Sequence, residues 1–232
     1  IHLSFGFQIN IKKVTSFCKS ISINSLYKLS QLKIILDKYW KIEENLFPKN
    51  FFYRHSKLVA PDLIGCYLIK KNNGQEQVKG IIVETEAYSQ EEEACHGYSK
   101  ITRSNKSLFG KPGTFYIYKS YGIHHCLNIV TDKENFASGV LIRAVFIPNT
   151  YERLASGPGL VTKTFDIDMS FNSLEVINNN SLWVSQREFI IKNKDLIQTT
   201  RIGISKAKNI KWRWYLKSSR SVSKRLKGDR TP

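Results

Sequence analysis

The chain has 232 residues, 41% hydrophobic and 12% aromatic, with 36 Lys and Arg against 19 Asp and Glu, a formal net charge of +17. That size fits one ordinary domain with an extension, the apolar content suffices for a core, and six Pro with thirteen Gly exclude wholesale disorder. The charge speaks of partners and points first to nucleic acid, and no apolar run reaches the ~20 residues of a membrane helix.

Residues 1–50 read as an N-terminal extension, in which LYKLSQLKIILDKYWKIEENLF (26–47) carries apolar residues at helical spacing. From Phe51 the signals sharpen. HSKLVAPDLIG (55–65) predicts a short helix ending near Gly65. CYLIKK, a turn at NNG and EQVKGIIVETEAY predict a strand, a tight turn and a longer strand. Residues 97–131 contain no Asp or Glu but carry Lys100, Arg103, Lys106, Lys111 and Lys119. Within them GTFYIYKSYGIHHCLNIV (113–130) predicts a hairpin with Gly122 as its turn glycine. GVLIRAVFI (139–147) is a strand interrupted by one Arg, and SLWVS (181–185) is a later strand. Residues 217–232 close the chain as a basic tail. The class is α+β, with an antiparallel or mixed sheet and a few helices. Cys18, Cys66, Cys95 and Cys126 form no C-x-x-C pair, so reduced thiols are expected, without a zinc ribbon.

Three features are unusual. Strand alternation puts Ile82, Glu84, Glu86 and Tyr88 on one face, and a carboxylate on an inner sheet face is costly unless paired or used. Arg143 lies inside an apolar strand, and a carboxylate at 84–86 is its obvious partner; the pair serves either a general base or structure alone. Tyr116, Tyr118 and Tyr121 lie on a hairpin in the acid-free stretch, where an exposed aromatic can stack on bases or wedge between them. Together these suit an enzyme that flips a nucleotide from duplex DNA and delivers water to its sugar. Three rivals are a nucleic-acid-binding module without catalysis, a basic RNA-associated protein, and a glycoside hydrolase using Glu84 with Glu86.

The ordered series VETEAY, His96, KPGTFYIYKSYGIHHCLNI, LIRA, SGPG and RIG, spanning about 51–216, resembles the alkyladenine (3-methyladenine) DNA glycosylase family. The resemblance implies a single domain around a curved antiparallel sheet with a protruding, DNA-intercalating hairpin. It implies monofunctional hydrolysis of the N-glycosidic bond of damaged purines in double-stranded DNA, by a monomer needing no cofactor or metal. By this resemblance Glu86 is the catalytic base and Arg143 orients it. Tyr88, His96, Tyr118 and Asn128 hold the base, Tyr121 intercalates, and Thr102, Arg103, Gly122, Gly157 and Gly159 meet the DNA backbone. Glu84 is then structural, and Glu91, Glu92 and Glu93 are solvated surface charge. A cytoplasmic location is expected, nucleoid-associated if the source is bacterial. The chain departs from the family pattern at Ser104, at Leu160, in a short 148–156 connection and in the His124–His125 pair. A weakened enzyme that still grips DNA is the alternative these departures raise.

Overall fold

The long strand expected around VETEAY becomes the trunk of the molecule. A computed structural model describes residues 47–48, 50–71, 77–177 and 179–226, so the helical run expected at 26–47 and the turn at 72–74 fall outside the described residues almost entirely. The strands are β1 (Tyr67–Lys71), β2 (Gln77–Ser89), β3 (Phe115–Ser120), β4 (His124–Val130), β5 (Ser138–Phe146), β6 (Leu182–Ser185), β7 (Leu196–Thr199) and β8 (Arg213–Leu216). Two α-helices are described, α1 (Ser56–Leu63) and α2 (Pro158–Thr164). All strand pairings are antiparallel, in the order β3-β4-β5-β2-β1-β6, with β7 joined through β8.

At 13 residues β2 is long enough to use one edge twice. Its first part, Gln77–Ile81, pairs with β1, and Glu84–Glu86 pair with β8. The other edge pairs with β5 from Ile81 to Ser89. Glu84 and Glu86 are therefore enclosed on both sides by backbone, and neither has exposed surface. β-Branched Ile81, Ile82, Val83 and Thr85 suit this doubly flanked strand.

Helix α1 is capped by His55, whose ring accepts from the Lys57 N–H at 3.1 Å. It buries Val59, Ala60 and Leu63 against the sheet, each burial of a large aliphatic contributing roughly 1.5–3 kcal/mol. The Thr85 hydroxyl donates to the Ala60 carbonyl at 2.9 Å, pinning helix to trunk. A second, smaller core of Cys95, Leu108, Phe109, Tyr116, Val130 and Ala137 supports Tyr88 and Tyr118 from below. Cys66, Cys95 and Cys126 are free and buried, and burial raises the Cys66 and Cys95 thiols to about 11.

Two expectations need correction. Ile82 does not share a face with Glu84 and Glu86: it joins the main core with Ala87, while Val83 packs on the opposite side with Ala144 and Tyr215. The β2–β5 register slips twice, leaving Val83 unpaired on one strand and Arg143 on the other. A bulge of this kind resets the alternation and re-aims side chains. Here it turns Arg143 toward the carboxylates. The segment expected as a basic tail is also packed back over 217–226: Ser221 and Val222 are buried and the Ser223 N–H donates to Glu84 Oε2 at 2.7 Å. No helix among the described residues is long and apolar enough to cross a membrane.

Candidate active site

Residues directly opposite in an antiparallel pair share a face. Glu86 is opposite Leu141, Leu141 opposite Asn128, and Asn128 opposite Tyr116. One row of neighbours thus crosses four strands, with Tyr88, Arg143 and Tyr118 two residues along their strands from it. Above this row lies a cavity of about 500 Å³ lined by Tyr88, His96, Tyr118, Asn128 and Arg143, with exposed Tyr121 on its rim.

Glu86 lies under the cavity, held on both oxygens. Its Oε2 accepts from the Tyr88 hydroxyl at 2.8 Å and from Arg143 Nη1 at 3.1 Å, and its Oε1 accepts from the Ile202 N–H at 2.7 Å. All three partners line the cavity. Burial raises the Glu86 pKa above the ordinary carboxylate value, opposed by the Arg143 charge and the hydrogen bonds from Ile202 and Tyr88. Burial also pushes the Tyr88 hydroxyl well up, and the Glu86 charge adds to it, so the phenol stays a donor. Arg143 reaches both glutamates, its Nε standing 3.3 Å from Glu84 Oε1.

The aromatic wall is built on the hairpin. The His96 ring meets Tyr118 edge-on with centroids 4.4 Å apart, and its Nδ1 is 3.1 Å from the Tyr116 hydroxyl. Desolvation lowers the His96 pKa, favouring the neutral imidazole. The Asn128 amide nitrogen donates to the carbonyls of Tyr116 and Cys126 at 3.1 and 3.4 Å, which leaves its oxygen to meet a ligand. At the hairpin tip Tyr121 and Gly122 both have positive φ, 50° and 68°, with the Ile123 N–H bonded to the Ser120 carbonyl at 2.9 Å. That is the pattern of a type I′ turn, which suits Gly122 and strains Tyr121. Tyr121 is 88% exposed.

The backbone candidates lie elsewhere. Gly157 and Gly159 line a neighbouring cleft between the start of β4 and α2, where the His124 ring packs on Gly159 so closely that an added Cβ would lie 2.6 Å from it. Gly122 is at the hairpin tip. Thr102 and Arg103 occupy a loop tied by the Asn105 side chain, which accepts from the Thr102 N–H at 2.6 Å and donates to the His96 carbonyl at 2.7 Å. Among the described residues no group of three His, Cys, Asp or Glu is arranged to hold a metal.

Sequence reasoning missed one constellation. Glu92, expected on the surface, is buried and accepts two 2.7 Å bonds from buried Arg201. The Arg201 guanidinium lies 4.7 Å from the Tyr88 ring centre. The available signal was the arginine of the RIG motif, which precedes the Ile202 N–H.

A model of the methylpurine-DNA glycosylase (MPG) family matches residues 50–220, which contain this whole site. The chain belongs to that family. It is a hydrolase of the DNA-repair glycosylase class, and DNA is its substrate. Relatives named "Putative 3-methyladenine DNA glycosylase" include one from Trichodesmium erythraeum, 41% identical over 188 residues, covering 74% of this chain and 94% of that protein. Another, from Carboxydothermus hydrogenoformans, is 38% identical over 192 residues, 78% of this chain and all of that protein. A third, from a Synechococcus strain, is 41% identical over 181 residues, 72% of this chain and 93% of that protein. The glycosylase fold of this chain is thus α+β around one curled antiparallel sheet.

Proposed function

We propose that this glycosylase, over a domain spanning 51–216, flips a damaged purine into the aromatic cavity and cleaves its N-glycosidic bond with water activated by Glu86. The observation that carries this reading is the triple hold on Glu86 directly beneath the cavity. Three donors favour the ionised carboxylate while burial raises its basicity, the combination a general base needs near neutral pH. Arg143 keeps the carboxylate oriented toward that water.

The remaining roles follow from position. Tyr88, Tyr118 and neutral His96 enclose the base, and Asn128, with only its oxygen free, crowds the exocyclic amine of an undamaged guanine. Tyr121, presented in a strained and exposed turn, fills the gap in the stack. Thr102, Arg103, Gly122, Gly157 and Gly159 meet phosphates around the rim. The substrates are 3-methyladenine, 7-methylguanine, hypoxanthine and ethenoadenine in duplex DNA.

Single-turnover excision tests the reading, on duplexes with one hypoxanthine or ethenoadenine and on alkylated genomic DNA. Wild type is expected to release base and Glu86→Gln to bind the same DNA without release. Normal release by Glu86→Gln would overturn the assignment of the base. Binding without release by wild type would make the chain a weakened DNA-binding member of its family. Tyr121→Ala is expected to weaken lesion binding by about tenfold, one lost stacking contact. Equal affinity would remove the wedge.

A further inference from the structure

We propose that Arg201, clamped by Glu92, is a positioning residue that holds the Ile202 N–H on the catalytic carboxylate. This inference rests on Glu86 acting as the general base.

Among the described residues the Ile202 N–H is the one backbone donor to Glu86, and its 2.7 Å bond is the shortest of the three. It lies outside regular secondary structure, in the segment between β7 and β8. Gly203, next in the chain, has φ +76°, a conformation natural to glycine, with nothing within 4 Å of an added Cβ. The segment is held by the Arg213 Nε bond to the Thr200 carbonyl at 2.8 Å and by the side chain of Arg201. Arg201 spends its planar fork on Glu92, with Nη1–Oε1 and Nη2–Oε2 both 2.7 Å, and Nη1 donates also to the Ala87 carbonyl at 2.9 Å. Ala87 lies between Glu86 and Tyr88, so the same guanidinium grips the trunk strand at the base itself. It stacks over Tyr88 at 4.7 Å and stands 5.6 Å from the Trp212 ring. A planar bidentate group with two ring contacts sets an angle and a depth that a lysine ammonium would not.

The charged and titratable groups facing Glu86 are Arg143, Glu84 and Tyr88, with Tyr118 and Cys126 across the cavity. Arg201 makes no direct contact with Glu86. Its influence passes through the Ile202 N–H, a donor that favours the ionised base.

The test is the pH dependence of single-turnover base release for wild type, Arg201→Lys and a paired apolar replacement, Arg201→Met with Glu92→Leu. The paired change removes the clamp without leaving a buried charge, so it is the variant expected to keep its fold. Both are expected to lose about tenfold in rate on the acid limb relative to wild type, because the base loses one charge-assisted hydrogen bond, and to recover on the alkaline plateau. A purely structural role predicts lower melting temperature and lower reaction amplitude at every pH, with the acid limb unmoved. That result, or wild-type rates in the folded paired variant, would overturn the proposal. Glu86→Gln run in parallel separates the two readings. If it releases base normally, the base assignment has failed. If it is inactive while the clamp variants keep the wild-type profile, only the role of Arg201 has failed.

Discussion

Glu84 and Glu86 lie two residues apart on one strand, both without exposed surface, yet they occupy different chemical regions. Glu84 is closed off: Oε1 meets Arg213 at 2.8 Å and Arg143 at 3.3 Å, and Oε2 takes the Ser223 N–H at 2.7 Å. Behind it pack Val83, Tyr215 and Val222. Glu86 has as many partners, but every one borders the cavity. The two carboxylates and the two arginines, Arg143 and Arg213, balance in charge. Burial alone therefore does not mark a catalytic carboxylate. What distinguishes Glu86 is that its partners adjoin a space where a substrate can sit.

The sharpest way to break this comparison is to remove each charge in turn. Glu86→Gln is expected to cost roughly 10²–10⁴-fold in single-turnover excision, the range for a lost general base, with a smaller loss of stability than Glu84→Gln because Arg143 keeps Glu84 as a partner. Glu84→Gln should do the reverse. It leaves Arg213 short of a buried partner, a loss of about 3–5 kcal/mol in urea-unfolding stability, while excision by the folded fraction changes far less than for Glu86→Gln. Comparable losses of rate from both changes would mean that the carboxylates act as a pair.

The pH profile probes the link between the two regions through Arg143. Because burial raises the Glu86 pKa, excision should plateau at high pH and fall about tenfold per pH unit below a midpoint higher than that of an ordinary glutamate. The Glu84 charge contributes to that rise, and Glu84 shares Arg143. Glu84→Gln should therefore move the midpoint down. A midpoint that stays would show that the regions are electrostatically independent.

How much of this was legible depends on sequence distance. The trunk strand, β5 and the β3–β4 pair were readable from β-branched runs and turn residues, and the pairing of Arg143 with a carboxylate at 84–86 followed from the cost of burying a lone cation. The face assignment of Ile82 was not, because a bulge adds a residue that alternation does not count. Nor was the Glu92–Arg201 clamp, whose members are separated by 109 positions and whose glutamate sits in a run of three that reads as solvated. The packing of 217–226 was hidden by composition: a basic segment resembles a tail until buried Glu84 supplies the acceptor that its backbone needs.

That last segment gives the finest test of the division. The Ser221 hydroxyl donates to the Glu152 carbonyl at 2.5 Å, and the arm it anchors carries the Ser223 N–H to Glu84. Ser221→Ala should cost about 1 kcal/mol of stability, the net worth of one hydrogen bond, measured by urea unfolding. If the Glu84 side is only scaffold, excision at saturating enzyme should stay at the wild-type rate and the acid limb should not move. A slower rate with a displaced limb would mean that loosening the arm reaches Glu86 through Glu84 and Arg143, and the scaffold would then belong to the site.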